Sequence, residues 1–260
     1  MVLLAIDIGN SDITLGLNRD GAWQHEWRIA TNVDKPEIFY GVKIRDYFLD
    51  STEDINKVSH VVLSSVVPDI TEKIERVVFS IFRIKPIVLG PDVYRQLPFN
   101  VMNPYEIGSD LVANALAAYL KFKSDCIVVD FGTALTFTGV TAEGKIKGVA
   151  IAPGIKTAIK SLSQNTAKLF DVPLQIPQNS LGTDTVKAIQ AGVMFGYQGM
   201  VRHMLQKTKA EMRENCISIA TGGLSNVIDY MYADFDHVIP KLTLDGLKHI
   251  AEIITEKQAE

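Results

Sequence analysis

Three short loops in this chain carry residue types suited to phosphate chemistry. Asp7-Ile8-Gly9-Asn10-Ser11 closes an apolar run at 2–6, Asp130-Phe131-Gly132-Thr133-Ala134 closes one at 126–129, and Thr221-Gly222-Gly223 closes one at 217–220. Glycine at such a strand end lets a phosphate approach the main chain, and the N–H groups of a tight turn donate to its oxygens. A neighbouring hydroxyl or amide adds donors, and the aspartate can hold a divalent cation that bridges phosphates. Asp, Gly, Asn and Ser are also ordinary turn residues, so one copy carries little weight. Two copies separated by nearly half the chain carry more. The chain has no GxxxxGK[ST] and no GxGxxG, which disfavours P-loop and dinucleotide folds.

A second candidate lies at 108–114. Gly108-Ser109-Asp110 opens an alanine-rich segment, with Asn114 one turn after Asp110 on the same helix face. A carboxylate there can take a hydroxyl proton, an effect of about 10²–10⁴-fold. The plainer reading is a helix cap. A helix N-terminus also lowers a carboxyl pKa, which predicts an ionised but weak base.

The elements that must position these groups follow from periodicity. Strands are predicted over 2–6, 13–17 and 23–29, then helix 36–49, strand 58–64, helix 70–82, strand 87–89 and the helix opened by Ser109. The second half predicts strands 126–129, 135–140 and 146–151, helices 157–167 and 185–207, and strand 217–220. Leu247, Ile250, Ala251 and Ile254 form one stripe of a last helix. The chain thus states a β-β-β-α-β-α unit twice, which predicts an α/β protein of two similar halves, 1–118 and 119–260, with a cleft between them. Ala113, Ala115, Ala117 and Ala118 read as close helix packing, Trp23 and Trp27 as packing residues, and the five histidines have no metal-ligand spacing.

Composition sets outer bounds. The 26 basic and 30 acidic residues give a net charge of −4, too little of either sign to hold nucleic acid or an anionic membrane nonspecifically. Cys126 and Cys216 sit in apolar runs far apart in sequence, which disfavours a disulfide or a zinc site. The apolar start ends at Asp7, too short for a signal peptide or a membrane span. A reducing cytoplasm is the expected setting.

The three loops resemble the two phosphate motifs and the adenosine motif of the actin-like ATPase and sugar-kinase superfamily. The resemblance narrows when their order is joined by Ser64-Ser65-Val66-Val67-Pro68, Asn103-Pro104 before Gly108-x-Asp110, Ala152-Pro153-Gly154, Asn165-Thr166-Ala167, Gly182-x-x-Thr185 and Ala188-Ile189-Gln190-Ala191-Gly192. Over nearly its whole length the chain resembles the type III pantothenate kinases. That resemblance implies a duplicated ribonuclease-H-like fold and ATP-dependent phosphorylation of pantothenate, the first step toward coenzyme A. It implies Mg²⁺, a monovalent cation (K⁺ or NH₄⁺) and a homodimer; the second half is expected to contribute most of the interface, the small residues of 188–196 permitting close helix contact. By position it implies Asp110 as catalytic base. ATP would be held by Asp7, Ile8, Gly9, Asn10, Ser11, Asp12, Ile13, Thr14, Thr133, Gly222 and Gly223. The acceptor would be held by Val101, Gly108, Ser109, Asp110, Leu111, Asn114 and Thr185. Asp7 would serve Mg²⁺ with ATP, and Asp130 the monovalent cation.

The chain departs from the family pattern on the acceptor side. Leu111 stands where arginine is usual and Val101 where tyrosine is usual, while Leu135 and Thr138 replace a common threonine and aspartate. Leucine supplies none of the donors or charge of a guanidinium. A pantothenate kinase with altered contacts therefore competes with a kinase for another small hydroxyl compound, and with a nucleotide-binding accessory protein.

Overall fold

The structure, a computed structural model, describes residues 1–165, 172–213, 215–224 and 228–259. Two units divide the chain, Met1–Ala117 with Thr243–Glu260, and Ala118–Leu242.

The first unit runs β1 (Val2–Ile8), β2 (Asp12–Arg19), β3 (Ala22–Ala30), α1 (Glu37–Asp50), β4 (His60–Ser65), α2 (Pro68–Phe82), β5 (Ile87–Val88), α3 (Pro91–Tyr94) and α4 (Ser109–Phe122), whose end belongs to the second unit. Its sheet has the order β3-β2-β1-β4-β5, with β1 antiparallel to β2 and parallel to β4. Central β1 is covered on both faces: Leu3, Leu4, Ala5 and Ile6 are fully buried. This explains a continuous apolar run in place of alternation. Tyr40, Ile44 and Phe48 of α1, four residues apart, and Ile70, Ile74, Val77 and Val78 of α2 bury their stripes in the same core. Proline in its first turn starts α2, and Arg83 in the left-handed region (φ 59°) stops it. Trp27 stacks between His25 and Tyr47, a packing role as expected.

The second unit runs β6 (Cys126–Phe131), β7 (Ala134–Val140), β8 (Ile146–Pro153), α5 (Ile155–Asn165), α6 (Thr185–Glu211), β9 (Ile217–Thr221) and β10 (His237–Val238). Its sheet order, β10-β9-β6-β7-β8, repeats the first strand for strand. Here β6 takes the place of β1, antiparallel to β7 and parallel to β9. Ile189, Val193 and Met194 of α6 are buried in this unit's core, whereas Ala188 of the stretch 188–196 is exposed and Phe195 half-buried. Gly192, Gly196 and Gly199 occupy its exposed side. Both cysteines are free and buried; burial pushes the Cys126 thiol to about 12 and that of Cys216 to about 11, which leaves them unreactive.

The last helix, α7 (Leu242–Ala259), corrects the expected partition. The sequence order places it in the second half, but from Thr243 onward it groups with the first unit. A Cβ on Gly246 would overlap the carbonyl oxygen of Ala113, so α7 and the alanine face of α4 meet backbone to backbone. The Trp23 indole N–H donates to Asp245 (2.8 Å), and the Thr243 hydroxyl donates to Asn114 (2.9 Å). The main division falls one residue before the expected one. Helix 157–167 is observed as Ile155–Asn165, and Thr166 and Ala167 of the Asn165-Thr166-Ala167 motif lie outside the described residues. Among the described residues, no helix is long and apolar enough to cross a membrane.

Candidate active site

In the first unit the Asp7 loop is a tight reversal between β1 and β2. Gly9 N–H donates to the Asp12 carbonyl (3.0 Å), Thr31 hydroxyl to the Gly9 carbonyl (2.6 Å) and Thr31 N–H to the Ser11 carbonyl (2.9 Å). The glycine amide is therefore engaged within the turn. What this glycine can offer a ligand is close approach to the main chain, not its own amide. Asn10, Ser11 and Asp12 are exposed, whereas the side chains of Ile8 and Ile13 are buried, so those two can offer a ligand only their main chain. Asp7 is half-buried and stands opposite Thr14 and Ser64 in register.

Asp110 is the second residue of α4, and one carboxylate oxygen accepts from the Leu111 N–H (2.9 Å). Burial raises its pKa, and that hydrogen bond only partly opposes the rise. The expectation of a lowered pKa at a helix start is thus overturned: desolvation outweighs the amide hydrogen bonds that favour the charged form. The result is a stronger base than an exposed aspartate. A Cβ on Gly108 would lie 2.5 Å from Oδ1 of Asp110, so only glycine leaves the carboxylate its place. Tyr94 ends α3; burial, then the charge of Asp110, pushes its phenol to about 12.

The other residues expected on the acceptor side divide by what they touch. The Ser109 hydroxyl shares a hydrogen bond with Ser64 (2.9 Å), accepts from Ser65 N–H (3.0 Å) and donates to the Ser65 carbonyl (3.0 Å). It ties the start of α4 to the end of β4. Asn114 is buried and accepts from Thr243, and Leu111 is buried as well. Val101 is half-buried in the loop before Asn103, whose carbonyl accepts from the N–H groups of Glu106 and Ile107. Arg95, which sequence reasoning missed, donates to the Tyr105 hydroxyl (3.1 Å) and to Asp92 (3.0 Å) at the surface.

In the second unit Thr133 is held from α5. Its carbonyl accepts from Gly154 N–H (2.9 Å) and from the Thr157 hydroxyl (2.7 Å). A Cβ on Gly154 would lie 2.5 Å from that carbonyl oxygen and overlap that of Gly132. As in the first unit, the loop glycine's amide is engaged internally: Gly132 N–H donates to the Ala134 carbonyl (3.1 Å). The Tyr197 hydroxyl of α6 donates to the Pro153 carbonyl (2.7 Å), with the Gly154 carbonyl at 3.3 Å. Sequence reasoning also missed Tyr197, whose only signal is a tyrosine inside an apolar stretch. Tyr197→Phe removes this anchor. It should lower stability by about 1 kcal/mol, which thermal melts check.

Gly222 (φ 100°) follows β9 and presses on the Asp130 loop. Leu224 N–H donates to the Phe131 carbonyl (3.2 Å), joining the two loops. Gly223 is exposed. Thr185 is the first residue of α6 and exposed; Asp184, not Thr185, caps the helix by accepting from Lys187 N–H (2.9 Å). No three His, Cys, Asp or Glu side chains among the described residues cluster to hold a metal ion.

The sequence signature of the type III pantothenate kinases matches residues 3–207. A type III pantothenate kinase of Treponema pallidum (strain Nichols) is 41% identical over 260 residues, covering 97% of this chain and 94% of its own. One from Citrifermentans bemidjiense is 37% identical, covering 96% and 98%. Component A of the Acidaminococcus fermentans (R)-2-hydroxyglutaryl-CoA dehydratase has the same fold at 12% identity, with a TM-score of 0.56 over the full length of both chains. So does the AMPPNP-bound MreB5 of Spiroplasma citri, at 12% identity and a TM-score of 0.52, covering 99% of this chain and 98% of that one. The two matching sheets fit this actin-like ATPase and sugar-kinase fold. The chain belongs to the type III pantothenate kinase family.

Proposed function

We propose that this protein transfers the γ-phosphoryl group of ATP to the hydroxyl of pantothenate, giving 4'-phosphopantothenate and ADP. The observation that carries the reading is Asp110, a carboxylate made more basic by burial at the start of α4 and given its place by Gly108. As the acceptor oxygen bonds to phosphorus, Asp110 takes the hydroxyl proton, and ADP leaves with the electrons of the broken P–O bond. The loops at Asp7 and Thr133 are the phosphate loops. Asp7, with hard oxygen donors beside it, suits Mg²⁺, and Asp130 suits a monovalent cation. Bound there, the cations neutralise charge on the transferring phosphates. Purified protein with Mg·ATP and potassium, offered pantothenate and a panel of other hydroxyl compounds in a coupled ADP assay, tests the reading. Turnover of another acceptor in preference to pantothenate overturns it.

The carboxylate of pantothenate needs donors or water, since an unpaired buried charge is costly. We assign its recognition to Arg95. Two observations support this: Arg95 is hydrogen-bonded to Tyr105, five residues before Asp110, and it follows Tyr94, whose phenol feels the charge of Asp110. Arg95→Ala should raise the pantothenate KM about tenfold, the value of one charged hydrogen bond at about 1.4 kcal/mol, and leave the ATP KM unchanged. An unchanged pantothenate KM would mean that the carboxylate faces water. Leu111→Arg is a less direct test, because Leu111 is buried and a guanidinium there must leave its pocket. We further propose a cytoplasmic homodimer using the exposed glycine side of α6, which light scattering at micromolar concentration checks.

A further inference from the structure

Asp7 and Asp130 hold the same place in the duplicated fold, but the hydroxyls beside them are treated differently. Each aspartate has a hydroxyl residue opposite it on both neighbouring strands: Thr14 and Ser64 flank Asp7, and Thr136 and Thr221 flank Asp130. Register partners share a sheet face, with Cβ atoms about 4.5–5.5 Å apart. In the first unit Ser64 is fully buried and its hydroxyl is satisfied by Ser109. In the second unit Thr136 is 8% exposed and Thr221 fully buried, yet neither hydroxyl has a hydrogen-bond partner. Among the described residues four buried side-chain polar atoms lack a partner, and two of the four flank this one carboxylate. Buried polar groups are nearly always paired, so the pair calls for a ligand.

We infer that the hydroxyls of Thr136 and Thr221 join the Asp130 carboxylate in seating a monovalent cation, an inference that rests on the assignment of Asp130 above. One anionic and two neutral oxygens on a sheet face suit a large, weakly hydrated ion. Mg²⁺ demands near-ideal octahedral ligands and gives up water reluctantly, so it fits poorly. Neutral oxygens standing in for a hydration shell are the usual environment of potassium. The fold provides Ser109 for Ser64, and among the described residues it provides no such partner for Thr221.

The test is thermal unfolding of the full chain with Mg·AMPPNP, in potassium chloride against choline chloride at equal ionic strength. Wild type should melt higher in potassium. Thr136→Val and Thr221→Val, which remove only the hydroxyl, should lose most of that increment while melting no lower than wild type in choline. Thr221→Ser should keep it. The potassium concentration for half-maximal activity should rise about tenfold in each valine variant, as for loss of one supporting ligand. A full potassium increment in both valine variants overturns the inference. So does an equal loss of AMPPNP affinity in both salts, which would give the hydroxyls to phosphate. If Asp130→Asn loses the increment while the valine variants keep it, the Asp130 assignment stands and only the threonine ligands fall. If Asp130→Asn keeps it, or wild type shows none, the assignment of Asp130 falls first.

Discussion

Asp110→Asn should reduce kcat by about 10²–10⁴-fold while the affinity for ATP changes little. The amide has nearly the shape of the carboxylate and can keep the hydrogen bond from Leu111 N–H through its oxygen, but it cannot take a proton. The same variant should be more stable than wild type near neutral pH. The folded-state pKa of Asp110 is raised above its unfolded value of 3.8 by burial, so the folded protein holds that proton more tightly than the unfolded chain. Stability from this group is fully present below 3.8 and is lost as pH rises through the raised folded value. At neutral pH the wild-type charge is therefore a liability that asparagine removes. Activity runs the other way, because only the ionised form is a base, so the acidic limb of kcat should lie above the range of an exposed aspartate. Turnover within a few-fold of wild type would remove Asp110 from the chemistry. Lost turnover together with a lower melting temperature would instead point to a structural role.

The duplication was legible in the sequence because both copies end a buried central strand with Asp-x-Gly, and a central strand must be apolar on both faces. What the two strands carry beside the aspartate was not legible. Thr136 looks like an ordinary β-branched strand residue and Thr221 like the first residue of a glycine loop, and only register brings both level with Asp130. The destination of α7 was hidden for a similar reason. An apolar stripe says that a helix packs, but not on which unit; that is decided by contacts as particular as Gly246 against Ala113 and Asp245 against Trp23. The basicity of Asp110 was read with the wrong sign, since helix position is a local property and desolvation depends on everything packed around it. Short elements such as α3 and β10 have too few residues to show a period, and α3 carries Tyr94 and leads to Arg95. Ser109, expected to meet substrate, spends its hydroxyl on β4. Its neighbour Asp110 is thereby fixed to the sheet that carries the Asp7 loop.

Gly222→Ala should give the largest loss on the nucleotide side, and it separates two roles of one glycine. At φ 100° an L-residue is strained by about 1–3 kcal/mol. The added methyl also has nowhere to go. It would overlap Oδ1 of Asp130 and lie 2.7 Å from the amide nitrogen of Phe131 and 2.8 Å from its carbonyl carbon. The carboxylate can swing aside, but the β6 backbone cannot move without disturbing a strand bonded on both edges. The variant must displace Asp130, open the Gly222 turn, or both. Strain alone would lower the melting temperature by several degrees and leave kinetic constants near wild type. Displacement of Asp130 would add a fall in kcat/KM for ATP, expected at about a hundredfold, and a weaker response to potassium. The pantothenate KM should hold, because Asp110 and Arg95 belong to the other unit. Gly148→Ala is the matched control: its methyl meets nothing within 4 Å, and Gly148 lies on the edge strand β8. Melting curves, ATP kinetics and potassium titrations on the two variants tell the outcomes apart. A Gly222→Ala protein that melts low but titrates potassium like wild type would mean that the turn, and not the seat at Asp130, needs the glycine.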